Sequence, residues 1–129
     1  MSVTITIITV AGLGQVIADG NGHVLYMFPV DAGGKVRCIG PCAGTWPPLV
    51  ISKDGRARAG PGVNRSEIST TTDPNTGAQV VTFGAFPLYR YAGDVHPGTA
   101  NGQALFLNGG PWYVMSPTGN PITTALSTS

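Results

Sequence analysis

Charge is what this chain has least of. Asp, Glu, Lys and Arg make up only 10% of its 129 residues, and the formal net charge is +1. So little charge gives no electrostatic reason to hold nucleic acid or anionic lipid, and no nucleic-acid partner is expected. Long apolar runs are missing as well, so no transmembrane segment is expected. The first Lys or Arg is Lys35, which leaves residues 2–10 without the basic start of a secretory signal. An export signal removed ahead of this numbering and a route without one both stay open. Enzyme signatures are absent: there is no Gly-x-Ser-x-Gly, no His-Glu-x-x-His, no phosphate loop and no Cys-x-x-Cys-His. No catalytic residue can be named and no cofactor is expected. Long helices are excluded by 19 Gly and 11 Pro, while 42% hydrophobic residues exclude disorder. The length fits one domain, residues 1–129, with a core of its own.

What the chain does have is a stretch that returns. Leu25, Tyr26, Phe28 and Asp31 reappear 63 positions later as Leu88, Tyr89, Tyr91 and Asp94. In each copy the Tyr and the second aromatic share one face of a strand, and the Asp follows where the strand yields to a Gly-containing loop. Gly14 matches Gly77 at the same offset, a Trp follows each motif (Trp46, Trp112), and Ser52 to Gly55 is echoed by Ser116 to Gly119. An ordered series of this kind predicts duplication of a small β unit, with a first repeat over 14–55 and a second over 77–119. The expected fold is all-β: two related antiparallel meanders packed as a small sandwich or barrel-like domain. The two halves should superpose, with Tyr26 on Tyr89 and Asp31 on Asp94.

Between the motifs the chain reads as short strands and turns. Residues 3–10 alternate Thr with β-branched residues and predict a strand. It is an extra N-terminal strand within 1–13, outside the repeat. Having neither charge nor Pro to guard it, it is a candidate edge for self-association. Asp19 to Gly22 is a hairpin turn, and Pro29 should end the first motif strand. A single helical turn is expected around residues 42–46, and residues 56–63 read as the linker between halves. Asn64 can cap a brief turn through Glu67. Residues 70–72 and 79–83, joined by the turn Asp73 to Gly77, predict a second hairpin. Residues 94–111 form a polar, Gly-rich excursion, residues 112–115 a closing strand, and residues 123–129 a loose tail. Five of the seven basic residues fall between positions 35 and 58, and read as solvated loop surface ahead of an anion-attracting patch.

The doubled Tyr-x-aromatic-x-x-Asp motif, the Cys-x-x-x-Cys-Ala-x-x-Trp-Pro-Pro after its first copy and the Gly-x-x-Trp-Tyr near the end resemble a family of bacterial secreted or lipoprotein repeats of unknown function. The likeness covers residues 14–122. It implies a β-rich fold and an extracellular or cell-envelope location, and it implies no established activity.

Each notable side chain has two readings. Tyr26, Phe28, Tyr89 and Tyr91 can line a face that binds sugars or other rings, or can be core; core is the stronger reading. Asp31 and Asp94 can serve as paired carboxylates for acid/base work or can bond the backbone of their own turns, and the turn role is favoured because no His or second carboxylate recurs with them. Cys38 and Cys42 are the only cysteines. Their spacing, with Gly40 and Pro41 inside, allows a disulfide, and the compartment implied by the resemblance is oxidising. The rival is a metal or redox site using both thiolates with His23, His96 or Met27. The disulfide is preferred because two Cys do not complete a zinc set. The resulting expectation is a non-enzymatic extracellular or envelope β module with a structural or interaction role, self-assembling through its first strand. Its alternatives are a metal or redox protein built on Cys38 and Cys42 and, more weakly, a carbohydrate-binding module.

Overall fold

The structure, a computed structural model, describes residues 3–31 and 33–124. Ser2 at the start of the first predicted strand and residues 125–129 of the tail lie outside the described residues. In chain order the strands are β1 (Val3–Val10), β2 (Gly14–Asp19), β3 (Tyr26–Met27), β4 (Val50–Ile51), β5 (Ala57–Ala59), β6 (Ile68–Thr72), β7 (Gln79–Phe83), β8 (Phe86–Pro87), β9 (Phe106–Leu107), β10 (Gly110–Pro111) and β11 (Tyr113–Val114). One short helix, α1 (Pro41–Thr45), stands at the predicted helical turn, started by Pro41 in its first turn. The fold is all-β. Its strands divide among several small sheets, and none of these closes into a barrel.

Two hairpins anchor the molecule. β1 runs antiparallel to β2 from Ile5 opposite Asp19 to Val10 opposite Gly14. Gly12 and Gly14, both at φ +85°, supply the left-handed backbone of the tight connection between them. β6 runs antiparallel to β7 from Ile68 opposite Phe83 to Thr72 opposite Gln79. The turn between β6 and β7 is held by Asp73, whose Oδ1 accepts from the amides of Asn75 and Thr76 at 2.8 and 3.4 Å. β4 adds to the free edge of β7, and β8 pairs with the end of β7. Asn64 caps the turn before β6, accepting from the Ser66 amide at 3.0 Å.

Two sequence expectations are overturned here. Residues 56–63 do not form a free linker, because β5 lies parallel to β1, with Val3, Thr4 and Ile5 opposite Ala57, Arg58 and Ala59. The Gly60 amide extends the pairing, donating to the Ile5 carbonyl at 2.7 Å. β1 is therefore no unguarded edge: it is the middle strand of the order β2-β1-β5. Pairing with a second copy at Val3 to Ile5 would have to displace β5, whose register with β1 ends at Ile5. The Gly-rich excursion also holds more order than its composition suggests, since β9 and β10 form a hairpin turned by Asn108 and Gly109, both at positive φ.

The motif strands sit at the centre, buried on both faces. Alternation sends Val24, Tyr26 and Phe28 into one apolar cluster with Trp46, Tyr89 and Trp112. Leu25 and Met27 enter a second cluster with Ile5, Ile17, Phe83, Leu88 and Met115. A strand clad on both sides has no polar face to show, which is why 24–28 reads as a nearly continuous apolar run.

Candidate functional site

The repeated residues meet at the middle of the molecule, and they meet crosswise. Tyr26 and Tyr89 face each other as backbone partners: the Tyr26 amide donates to the Tyr89 carbonyl at 2.8 Å and the Tyr89 amide donates to the Tyr26 carbonyl at 2.9 Å. Their side chains then reach past one another. The Tyr26 hydroxyl donates to Asp94 Oδ2 at 2.5 Å, and the Tyr89 hydroxyl donates to Asp31 Oδ2 at 2.6 Å. Each Tyr thus bonds the Asp of the other motif.

Each Asp also ties down its own loop. The chain leaves each motif strand in a tight turn, with the Asp31 amide donating to the Phe28 carbonyl and the Asp94 amide to the Tyr91 carbonyl. The remaining carboxylate oxygens accept backbone amides further on, Arg37 N to Asp31 Oδ1 at 2.9 Å and Asn101 N to Asp94 Oδ1 at 2.7 Å. The Tyr oxygens take backbone amides in turn, Gly102 on Tyr26 at 3.1 Å and Cys38 on Tyr89. The hydroxyls of Tyr26 and Tyr89 and the carboxylates of Asp31 and Asp94 are therefore buried and hydrogen-bonded on more than one side.

Burial decides the electrostatics of the four groups. Loss of water pushes the Asp31 carboxyl up to about 6, with the Tyr89 hydroxyl and the Arg37 amide pulling against it. Asp94 is raised by the same cause, opposed chiefly by the Tyr26 hydroxyl. Both phenols are held far above their ordinary value, first by burial and then by the carboxylate each one faces. They remain proton donors at any pH the fold meets.

Around these pairs the aromatic rings form a column of four. Phe28 stacks on Trp112 with centroids 4.1 Å apart, Trp112 stacks on Trp46 at 4.0 Å and 2°, and Trp46 meets Tyr91 at 4.4 Å. Tyr26 stands edge-on to Trp46 and Tyr89 edge-on to Trp112. The crossing recurs here: the outer ring of each motif stacks on the Trp that follows the other motif. Such pairs contribute about 0.5–1.5 kcal/mol each beyond the area they bury. The indole nitrogens leave the column sideways, Trp46 Nε1 donating to Asn108 Oδ1 at 3.1 Å and Trp112 Nε1 to the Leu107 carbonyl at 3.0 Å. Gly102 has to be small, because a Cβ there would stand 2.7 Å from the Trp46 ring.

The structure therefore gathers Tyr26, Phe28, Asp31, Trp46, Tyr89, Tyr91, Asp94 and Trp112 into one buried assembly. A sugar-binding aromatic face is not present at these positions, because Tyr26, Tyr89 and both Trp have no exposed surface, Phe28 has 2% and Tyr91 is half-buried. Cys38 and Cys42 are bonded to each other across α1, so neither sulfur is free as a thiolate ligand. Met27 is buried in the second cluster, His23 is half-buried and His96 exposed. Among the described residues no three His, Cys, Asp or Glu side chains are grouped as a metal ion would need. Missed from the sequence were Asn108, Gly102 and the loop amides of Arg37 and Asn101. Asn108 left a trace in the turn-forming Asn-Gly-Gly at 108–110, and Asn101 with Gly102 in a second Asn-Gly pair.

Among the described residues no helix is long and apolar enough to cross a membrane. No curated protein and no solved structure matches the chain. Residues 8–50, which run from within β1 through the first motif and Trp46 to the start of β4, match the model of a family described as a secreted repeat of unknown function.

Proposed function

We propose that the protein is a non-enzymatic β module that works outside the cell or at its envelope, in a structural or interaction role, and that its repeated motif is the lock between two copies of one unit. The matched family, described as secreted, supports the location. The crossing of Tyr26 onto Asp94 and Tyr89 onto Asp31 carries the rest. A carboxylate that is to move a proton for a substrate has to reach that substrate. Here both carboxylates spend their oxygens on a buried phenol and a loop amide, so the chemistry of the motif is used up inside the protein.

The unit is wider than 14–55 and 77–119. Thr9 opposite Gln15 in the first hairpin has its counterpart in Thr72 opposite Gln79 in the second. The Ile17 amide donates to the Met115 carbonyl as the Val81 amide donates to the Leu49 carbonyl. β1 then belongs to the first copy as β6 belongs to the second, and each copy closes on a strand supplied by the other.

A double-mutant cycle on Tyr26→Phe and Asp94→Ala tests the lock. Tyr26→Phe strands a buried carboxylate and should cost about 1–3 kcal/mol in denaturant unfolding. The two substitutions should couple by a similar amount, since each removes the same bond. Additive effects would show that the pair does not hold the halves together.

A further inference from the structure

The cations that the sequence scatters are sorted by the fold. Lys35 and Arg37 lie in the loop after the first motif, with Arg37 facing Asp31. Lys53 and Arg56 instead share with Arg65, just beyond the 35–58 run, the wall of an open cleft of about 910 Å³. The cleft lies between the turn joining β4 to β5, the edge strand β6 and the start of β7, and Ile51, Ala57 and Ile68 form its apolar floor. Arg56, Ala57 and Arg65 also line a second hollow that carries on along β5 to Arg58. The four cations thus follow one continuous groove. Among the described residues no Asp or Glu lines either part of it, and Asp54 stands exposed next to Lys53 in the turn.

The other half of the molecule offers a comparison inside the same chain. Its turn Ser116 to Gly119 repeats Ser52 to Gly55 at an offset of 64, and places Pro117 and Asn120 where the first turn has Lys53 and Arg56. The central lock keeps its two-fold pattern, whereas the cations stand on one side alone. In a chain with only seven Lys and Arg, gathering four beside one groove makes a local field that the net charge of +1 conceals.

We propose that this groove binds an acidic polysaccharide. Lys53, Arg58 and Arg65 meet successive carboxylate or sulfate groups, and the hydroxyl of Thr70, on the same face of β6 as Ile68, faces the sugar hydroxyls between them. An extended groove with charges spaced along it suits a polymer better than a single small anion. The inference gives the interaction role proposed above a ligand class, and rests on that reading only for the extracellular setting.

Binding of dextran sulfate and of polygalacturonate to the intact protein tests it, with neutral dextran and a single-stranded oligonucleotide alongside. Affinity measured by calorimetry at two salt concentrations should fall steeply with salt for both acidic glycans and should be absent for neutral dextran. The pair Lys53→Gln with Arg65→Gln should weaken binding by about tenfold or more, on the footing that each cation neutralises one anionic group. Lys35→Gln, outside the groove, should change it little. Both positions are exposed, so the melting temperature should hold and loss of binding cannot come from unfolding. Undiminished binding in the double variant, equal loss in Lys35→Gln, or no binding of either acidic glycan would overturn the site. Tighter binding of the oligonucleotide than of either glycan would overturn the ligand class. The lock is read by stability and the groove by binding, so either proposal can fail without the other.

Discussion

Asp31 is the residue whose behaviour departs furthest from its ordinary chemistry. Its carboxyl has no exposed surface, and burial lifts it to about 6 despite two good donors. A carboxyl raised in the folded state takes up a proton before the unfolded chain does. Its contribution to stability is therefore fully present below the ordinary Asp value near pH 4 and is lost as the pH rises through about 6. The span is on the order of 3 kcal/mol. Denaturant midpoints followed from pH 4 to pH 7 should fall for the native protein and fall less for Asp31→Asn; identical slopes would mean that Asp31 does not titrate with folding. The sequence could place Asp31 and Asp94 at the ends of strands and in turns. It could not show that each is completed by a Tyr of the other motif, because that pairing joins residues 58 and 68 positions apart.

At the scale of elements, local chemistry was the readable part. β7 spans residues 79–83, as alternation and flanking turn residues require, and the Asp73 turn and the single helical turn of α1 also stand where their residues place them. β5 was hidden for a different reason. Ala57, Arg58 and Ala59 have no strand signature of their own, and their pairing with β1 is imposed by a neighbour more than fifty positions earlier. The Cys38–Cys42 bond belongs to this scale too, since it spans one turn and closes a loop of only a few residues. The double substitution Cys38→Ser with Cys42→Ser should cost about 2 kcal/mol in the loop-entropy model and leave the hairpins intact. Amide exchange should rise in α1 and its flanks alone. Exchange rising across β6 and β7 as well would make the bond a global staple.

For the whole molecule, the all-β class follows from composition, and the proposed two-part organisation rests on an offset of 63 that anyone can count. How the parts meet does not. A meander could pack on its sibling by a bare apolar face, and nothing in the order of residues says that strands and carboxylates are exchanged across the join. The exchange has an energetic consequence: each half loses the hydrogen bonds that cross the join if the other opens, so the two should unfold in one step with coincident transitions by every probe.

The two stacked indoles give that step an optical signature. Trp46 and Trp112 are the only tryptophans in the chain, one from each half, and they lie parallel at 4.0 Å. Chromophores so placed couple their excited states, which predicts ultraviolet absorption and emission unlike those of two isolated indoles. Because neither ring can produce the coupling alone, Trp46→Phe should erase this difference entirely instead of halving it. A signal that merely halves would mean the rings absorb independently. The protein carries its own light-readable gauge of whether its halves are joined.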